Sequence, residues 1–305
     1  MVDLISYLAL RILLAFINLL PLPARLWLLT SISRTSLTLV PRYKSIAERN
    51  IAYAFPDSTQ EWRAQVLERS HAFLARTIVD FARLSTLTPD WVREHVEFPF
   101  RERFAQIKRD NPNCGVMIGT GHLGSFELLA HSAPVFAKPI AFVVRSFKLW
   151  RIDRWWTAVR EATGNRVVAR KGAFKEIGRN LAAGWDVGLL IDQNVRQKHA
   201  VFVDLFGIPA ATTKAFAIAA LRAEAPVIVA GIIYLGNERY RIEAVECDFG
   251  VLYSNGAMTQ DEKIVEITQQ VSLAYEAIIR QQPEAWFWMH RRWKTRPVGQ
   301  PENFY

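Results

Sequence analysis

Between residues 115 and 245, short apolar runs alternate with stretches of helical periodicity, and no other feature of the chain narrows its fold as much. The runs read GVMIG (115–119), IAFVVR (140–145), RVVA (166–169), VGLLID (187–192), PVIVAGIIY (226–234) and RYRIEAV (239–245). Runs of this length bounded by turn residues fit buried strands. Helical spacing fills most of the gaps, at about 126–136, 149–163, 173–183 and 213–223. Parallel strands need crossovers of that length, so the pattern predicts an α/β fold with a mostly parallel central sheet flanked by helices. The last two runs are joined only by the LGNE turn, which predicts an antiparallel hairpin at one edge. Two helices are expected between 60 and about 87, and a last amphipathic helix over 262–280.

In sheets of this kind ligands bind beyond the carboxyl ends of the strands. Three of the predicted strand ends carry polar residues: Gly121-His122 after the first, Arg145 after the second, and Asp192-Gln193-Asn194 after the fourth. The stretch GTGHLGSFELLA (119–130) has glycines that permit a sharp turn and close approach to a ligand. Ser125 suits the N-cap of the following helix, which puts Glu127 in its first turn, where the dipole favours negative charge. From there Glu127 is expected to face His122. A carboxylate bonded to one imidazole nitrogen fixes the tautomer, so that the other nitrogen can take a proton from an alcohol. Ser125 lies in no G-x-S-x-G elbow and neither cysteine neighbours a histidine in sequence, so direct transfer to a substrate hydroxyl fits better than a covalent enzyme intermediate. With six histidines in the chain the spacing alone is weak, and the glycine-rich strand-to-helix setting carries the reading. No metal is expected: His131 lies nine residues from His122, and H-E-x-x-H does not occur.

A formal charge of +9 points to anionic partners: nucleic acid, a membrane surface, phosphorylated substrates or an acidic carrier protein, among which charge does not choose. From Arg145 the chain carries Lys148, Arg151, Arg154, Arg160, Arg166, Arg170 and Lys171, opposed only by Asp153 and Glu161. Such runs are usually solvated helix faces. The exception is RKGA (170–173), which ends a strand and opens a helix and is well placed for an anion. The tail WFWMHRRWKTRP (286–297) suits a lipid headgroup zone or nucleic-acid surface, and equally a packed segment whose arginines cap the fold. Cys114 and Cys247 are too few for a disulfide framework or a four-thiolate zinc site, fit a reducing compartment, and read as inert apolar residues.

The N-terminal run VDLISYLALRILLAFINLL (2–20) has the length of a membrane span and no small-residue cleavage site after it. Arg11 near its centre, with Asp3, Tyr7 and Asn18 on the same helical face, favours an interfacial or half-docked helix over a clean span. A second apolar run, 26–40, is flanked by Arg25, Arg34, Arg42 and Lys44, a basic collar suited to an anionic cytoplasmic leaflet. A helical hairpin buried against the main domain is the alternative. No repeat or Gly/Ser-rich linker divides the 305 residues. The expected organisation is a membrane-anchoring helical region over 1–45 and an enzyme domain over 46–305.

The chain resembles the bacterial lipid A biosynthesis acyltransferases, the late lauroyl/myristoyl transferases, whose hallmark H-x4-D/E motif reads HLGSFE here (122–127). RNIAYAFPD (49–57), VVR (143–145), IDQN (191–194), VFVDLFGIPAATTK (201–214) and HRRWKTRP (290–297) are similar to the family in the same order. The resemblance implies a glycerolipid-acyltransferase-like fold. It also implies transfer of a fatty acyl group from an acyl carrier protein thioester to a hydroxyl of a lipid A precursor, at the cytoplasmic face of the inner membrane. It makes His122 the general base, Glu127 its partner, and Arg145, Arg160 and Lys171 candidate anion contacts, which Arg170 of the RKGA segment joins, with Asp192 and Gln193 shaping the site. Beyond the acyl carrier protein as donor, the membrane lipid acceptor and the anionic membrane surface, no cofactor or nucleic-acid partner is expected. Gln197, Lys198 and His199 depart from a segment that is often richer in small residues, which bears on acceptor or chain-length preference. The same base would serve another lipid acceptor, such as a phosphatidylinositol mannoside or a lysophospholipid. A non-catalytic membrane-binding homologue is the remaining alternative.

Overall fold

The computed structural model describes residues 1–300 and 304–305. Helices α1 (Val2–Leu19) and α2 (Leu22–Leu39) form a hairpin, and α3 (Pro41–Ala54) follows. The turns fall at prolines: Pro21 precedes α2 and Pro41 opens α3, where the missing N–H costs no helical bond. Residues 60–87 are a single long helix, α4 (Gln60–Arg83), ending in a short 3-10 turn, where two helices were expected. The chain then runs through α5 (Pro89–His95), β1 (Val96–Glu97) and α6 (Arg101–Asp110) into the alternating region.

That region contains β2 (Met117–Thr120), α7 (Phe126–Phe136), β3 (Ala141–Val144), α8 (Trp150–Glu161), β4 (Arg166–Ala169), α9 (Ala173–Ala182) and β5 (Val187–Leu190). A hairpin of β6 (Ala200–Leu205) and β7 (Ile208–Thr213) forms a separate two-stranded sheet, and α10 (Ala215–Ala223) leads to β8 (Val227–Gly236) and β9 (Arg239–Cys247). After α11 (Gly250–Ser254) comes α12 (Gln260–Gln281), which starts on a capping box of Thr259 and Glu262. The main sheet has seven strands in the order β1-β9-β8-β2-β5-β3-β4. All its pairings are parallel except the β8–β9 hairpin. That hairpin lies next to the edge rather than at it, because β1 pairs with the first two residues of β9 after Arg239.

Helices cover both faces. α7 and α8 lie on one: the Arg160 guanidinium of α8 stands over the Phe142 ring of β3. On the other, α9, α10 and α12 pack Ile177, Phe216 and Val271 against Met117, Val187 and Val229 in the main core. α3 adds Ala47, Ile51 and Ala54 to this core, and the C-terminal tail adds Trp286, Trp288 and Trp293. Of the readings open for the tail, the structure takes the packed one: Trp288, Trp293 and Arg292 are fully or almost fully buried, and Arg292 donates to the Ala211 carbonyl. Pro134 lies inside α7, where it cannot donate to the Ala130 carbonyl. Asn165 Nδ2 donates to that carbonyl instead at 2.9 Å, while its Oδ1 accepts from the Ile140 N–H.

Helix α1 is amphipathic in an unusual sense. Its polar stripe faces the protein: Asp3 accepts from Arg151 of α8, the Asn18 amide donates to the Ala82 carbonyl, and Arg11 donates to Tyr7 and stacks over Trp155. Leu14 and Ile17 pack beside α4, while Ile5, Leu8, Ile12, Phe16 and Leu19 remain exposed. This helix is long and apolar enough to cross a membrane. Cys114 and Cys247 are free thiols whose pKa values burial raises, that of Cys247 to about 11.

Candidate active site

β2 and β5 are adjacent parallel strands that pair Thr120 with Leu190. His122 and Asp192 each follow two residues later, so sheet register alone delivers an imidazole and a carboxylate side by side. The strands can close up because residue 121 is glycine. A Cβ there would lie 2.5 Å from both Asp192 Cγ and Tyr275 Oη. We expect Gly121→Ala to abolish activity by displacing Asp192 from His122, with a smaller loss of thermal stability. Near wild-type turnover would show that the close approach is not required.

The His122 backbone N–H donates to Asp192 Oδ2 at 2.7 Å, and ring Nδ1 lies 2.9 Å from Oδ1. A carboxylate only accepts, so in the neutral ring the proton is on Nδ1 and Nε2 is the free base. Trp286 Nε1–H donates to Asp192 Oδ2 at 3.0 Å, and the Phe287 N–H to the His122 carbonyl at 3.1 Å. Burial would push the Asp192 carboxyl up, but the His122 charge and these hydrogen bonds win and hold it down at about 2. Burial alone would lower the His122 pKa; the Asp192 charge, its hydrogen bond and the Glu127 charge together raise it instead. Nearby, His290 Nε2 accepts from the Asn194 N–H at 2.8 Å, and burial drives its pKa to about 4, so it stays neutral and pins the loop after Asp192.

The expected Glu127–His122 hydrogen bond is not formed. Glu127 is in the first turn of α7, but its buried carboxylate faces α8 and is clamped by Arg160, whose Nε lies 3.0 Å from Oε2 and whose Nη2 binds Oε1. Arg160, expected as an anion contact, is thus committed to Glu127. Ser125 is at the N-cap position without capping, because its hydroxyl donates to buried Asp80 of α4. Asp80 also accepts from Tyr240 and Arg83, tying the loop after His122 to α4 and β9.

His122, Glu127, Arg145, Arg160, Arg170 and Gln193 line one cavity of about 1240 Å³. The three polar strand ends therefore do meet. Arg145 and Arg170 are exposed at its rim, Lys171 is exposed beside Arg170, and Asp192 lies beneath His122. The Gln193 amide nitrogen is 3.3 Å from His122 Nε2, where a substrate hydroxyl would approach. Most of the lining is apolar, including Ile118, Ala130, Phe136, Phe142 and Trp155. Among the described residues no cluster of three His, Cys, Asp or Glu side chains could hold a metal ion.

An imidazole whose neutral form leaves Nε2 free to accept a proton, set in a large and mostly apolar cavity, is suited to moving acyl groups onto hydroxyls. Sequence comparison makes that class specific: the chain belongs to the bacterial lipid A biosynthesis acyltransferase family, whose model matches residues 3–295, and it is an O-acyltransferase. Among its relatives, a lipid A biosynthesis acyltransferase of Haemophilus influenzae is 22% identical over 260 residues, 85% of this chain and 78% of its own length. The lipid A biosynthesis palmitoleoyltransferase of Escherichia coli K12 is 24% identical over 284 residues, 92% and 88% of the two chains. The myristoyltransferase of the same organism is 22% identical over 255 residues, 84% and 76%.

Proposed function

We propose that the protein transfers a fatty acyl group from an acyl carrier protein thioester to a hydroxyl of a lipid A precursor, with His122 as general base. The observation that carries this is the His122–Asp192 pair set in the mostly apolar cavity. His122 Nε2 takes the hydroxyl proton as the oxygen attacks the thioester carbonyl. A C–O bond forms, the C–S bond breaks, and the departing sulfur receives the proton from the imidazolium. Glu127 serves the base through its charge, with Arg160 holding it. Arg145, Arg170 and Lys171 supply contacts for anionic groups on the substrates, and Gln193 contacts the reacting hydroxyl. The outward apolar side of α1 seats the enzyme on the cytoplasmic face of the inner membrane, next to its lipid acceptor.

The test is transfer from radiolabelled acyl carrier protein to a purified lipid A precursor. Removing a general base costs about 10²–10⁴-fold in rate, so His122→Ala is expected to reduce turnover to that extent while remaining folded. Wild-type protein that is inactive on this acceptor but active on another lipid would replace the acceptor. Undiminished activity of His122→Ala would remove the mechanism.

A further inference from the structure

The cavity reaches both faces of the sheet. Strand alternation and register put Ile118, Phe142 and Gly188 on the face of α7 and α8, and Val143 and Leu189 on the opposite face with Ile177 and Ile218 of α9 and α10. Residues of both sets line the same cavity, which therefore passes over the carboxyl ends of the strands at His122 and Gln193. It has two arms that meet at the base.

The arms differ in chemistry. The first runs beneath α7 to Phe98, Phe104 and Phe136, and Leu10 and Leu14 of α1 contribute to its lining. The second has a half-buried apolar floor of Val143, Leu189 and Ile218, and a polar rim of Arg170, Asn194, His199 and Lys214. The Lys214 N–H donates to the His199 carbonyl at 3.2 Å, which keeps these two rim residues together. Neither Arg170 nor Lys214 has an ion-pair partner among the described residues, and neither do Lys171, Lys175, Arg196 and Lys198 nearby in the chain. Helix α1, with its exposed apolar side, packs against α8 and so belongs to the face of the first arm.

We propose that the second arm receives the phosphorylated pantetheine arm of the acyl donor, and that the unpaired cations at its rim dock the acidic carrier protein. This rests on the reading of a carrier thioester as donor. A pantetheine arm alternates aliphatic carbon with amides and ends in a phosphodiester. Val143, Leu189 and Ile218 match the first, the exposed His199 imidazole the second, and Arg170 and Lys214 the third. The donor comes from water and the acceptor from lipid. An arm on the sheet face away from α1 gives the donor a route to His122 that does not cross the lipid-facing surface.

The experiment is steady-state kinetics of the full-length protein with acyl carrier protein thioester and lipid A precursor, comparing wild type, Lys214→Glu and Ile218→Trp. A parallel series uses the same acyl group on N-acetylcysteamine, a short thiol without phosphate. Both variants are expected to raise KM for the carrier thioester about tenfold, equivalent to about 1.4 kcal/mol. KM for the lipid should be little changed, and the preference for the carrier over the short donor should shrink by a similar factor. Lys214→Glu alters only a half-buried side chain at the start of α10 and carries the test if Ile218→Trp fails to fold. An increase confined to the lipid KM would assign the arm to the acceptor, and no change in either KM would leave it without a substrate; both overturn the proposal. A wild-type protein that transfers nothing from the carrier thioester would instead overturn the donor reading beneath it.

Discussion

Asp192→Asn is expected to lower kcat by about 10²–10⁴-fold, and to move the ascending limb of the pH–rate profile to lower pH. The amide can present its NH2 to His122 Nδ1, which stabilises the tautomer with the proton on Nε2, where it blocks base catalysis. The pH shift follows from the electrostatics. A general base works deprotonated, so the rate rises as pH passes through the folded pKa of His122. In the wild type that pKa is raised above the ordinary 6.5, and Asp192 supplies the largest raising contribution. Without that charge, the residual activity should appear at lower pH. kcat/KM measured against pH for both proteins decides this, and an unmoved limb would mean that another group titrates. The carboxyl also has a stability signature. Because Asp192 is held at about 2, its stabilisation is present above the unfolded carboxylate value and is lost as pH falls toward 2.

Glu127→Ala should damage the fold as well as the chemistry. Its side chain is 5% exposed, and the Arg160 side chain that clamps it is largely buried, at 13% exposed. Removing one partner strands the other charge, at a cost of about 3–5 kcal/mol. Arg160→Ala should cost a similar amount for the mirror-image reason. The informative variant is the double replacement Glu127→Leu with Arg160→Met, which removes both charges and retains volume. It should regain most of the lost stability without regaining activity, because the charge that supports His122 is gone. Denaturant unfolding and acyl transfer measured on all three variants separate the two roles. A Glu127→Ala protein as stable as wild type would show that the pair is solvated.

Six of the seven strands of the main sheet were readable because they are apolar runs separated, except between β8 and β9, by helix-length gaps; these differ from the observed strands by at most a few residues at their ends, while the two-residue β1 was not anticipated. The β6–β7 hairpin was not anticipated, since AVFVDLFGIPAATT carries no strict alternation and its pairing is formed away from the main sheet. The single helix α4 was read as two because apolar spacing does not reveal whether a periodic stretch is continuous. In the site, the convergence of His122, Arg145 and Gln193 followed from the rule that ligands bind at strand ends. The partner of His122 did not. Sequence proximity pointed to Glu127, whereas Asp192, 70 residues away, is brought in by the β2–β5 pairing, and strand order is a tertiary property. DQN after a buried strand was the available signal. The contributions of Trp286, Phe287 and His290 were still less visible, because they act through contacts about 90 to 170 residues distant in sequence.

The tail also sets when the catalytic geometry can exist. Trp286, Phe287 and His290 hold the loops bearing Asp192, His122 and Asn194, and Asn50 of α3 donates to the Trp288 and His290 carbonyls from about 240 positions upstream. During synthesis the alternating strand–helix middle can collapse while this segment is still inside the ribosome, yet the nascent enzyme lacks a complete set of restraints on His122 until residues 286–295 have been translated and packed.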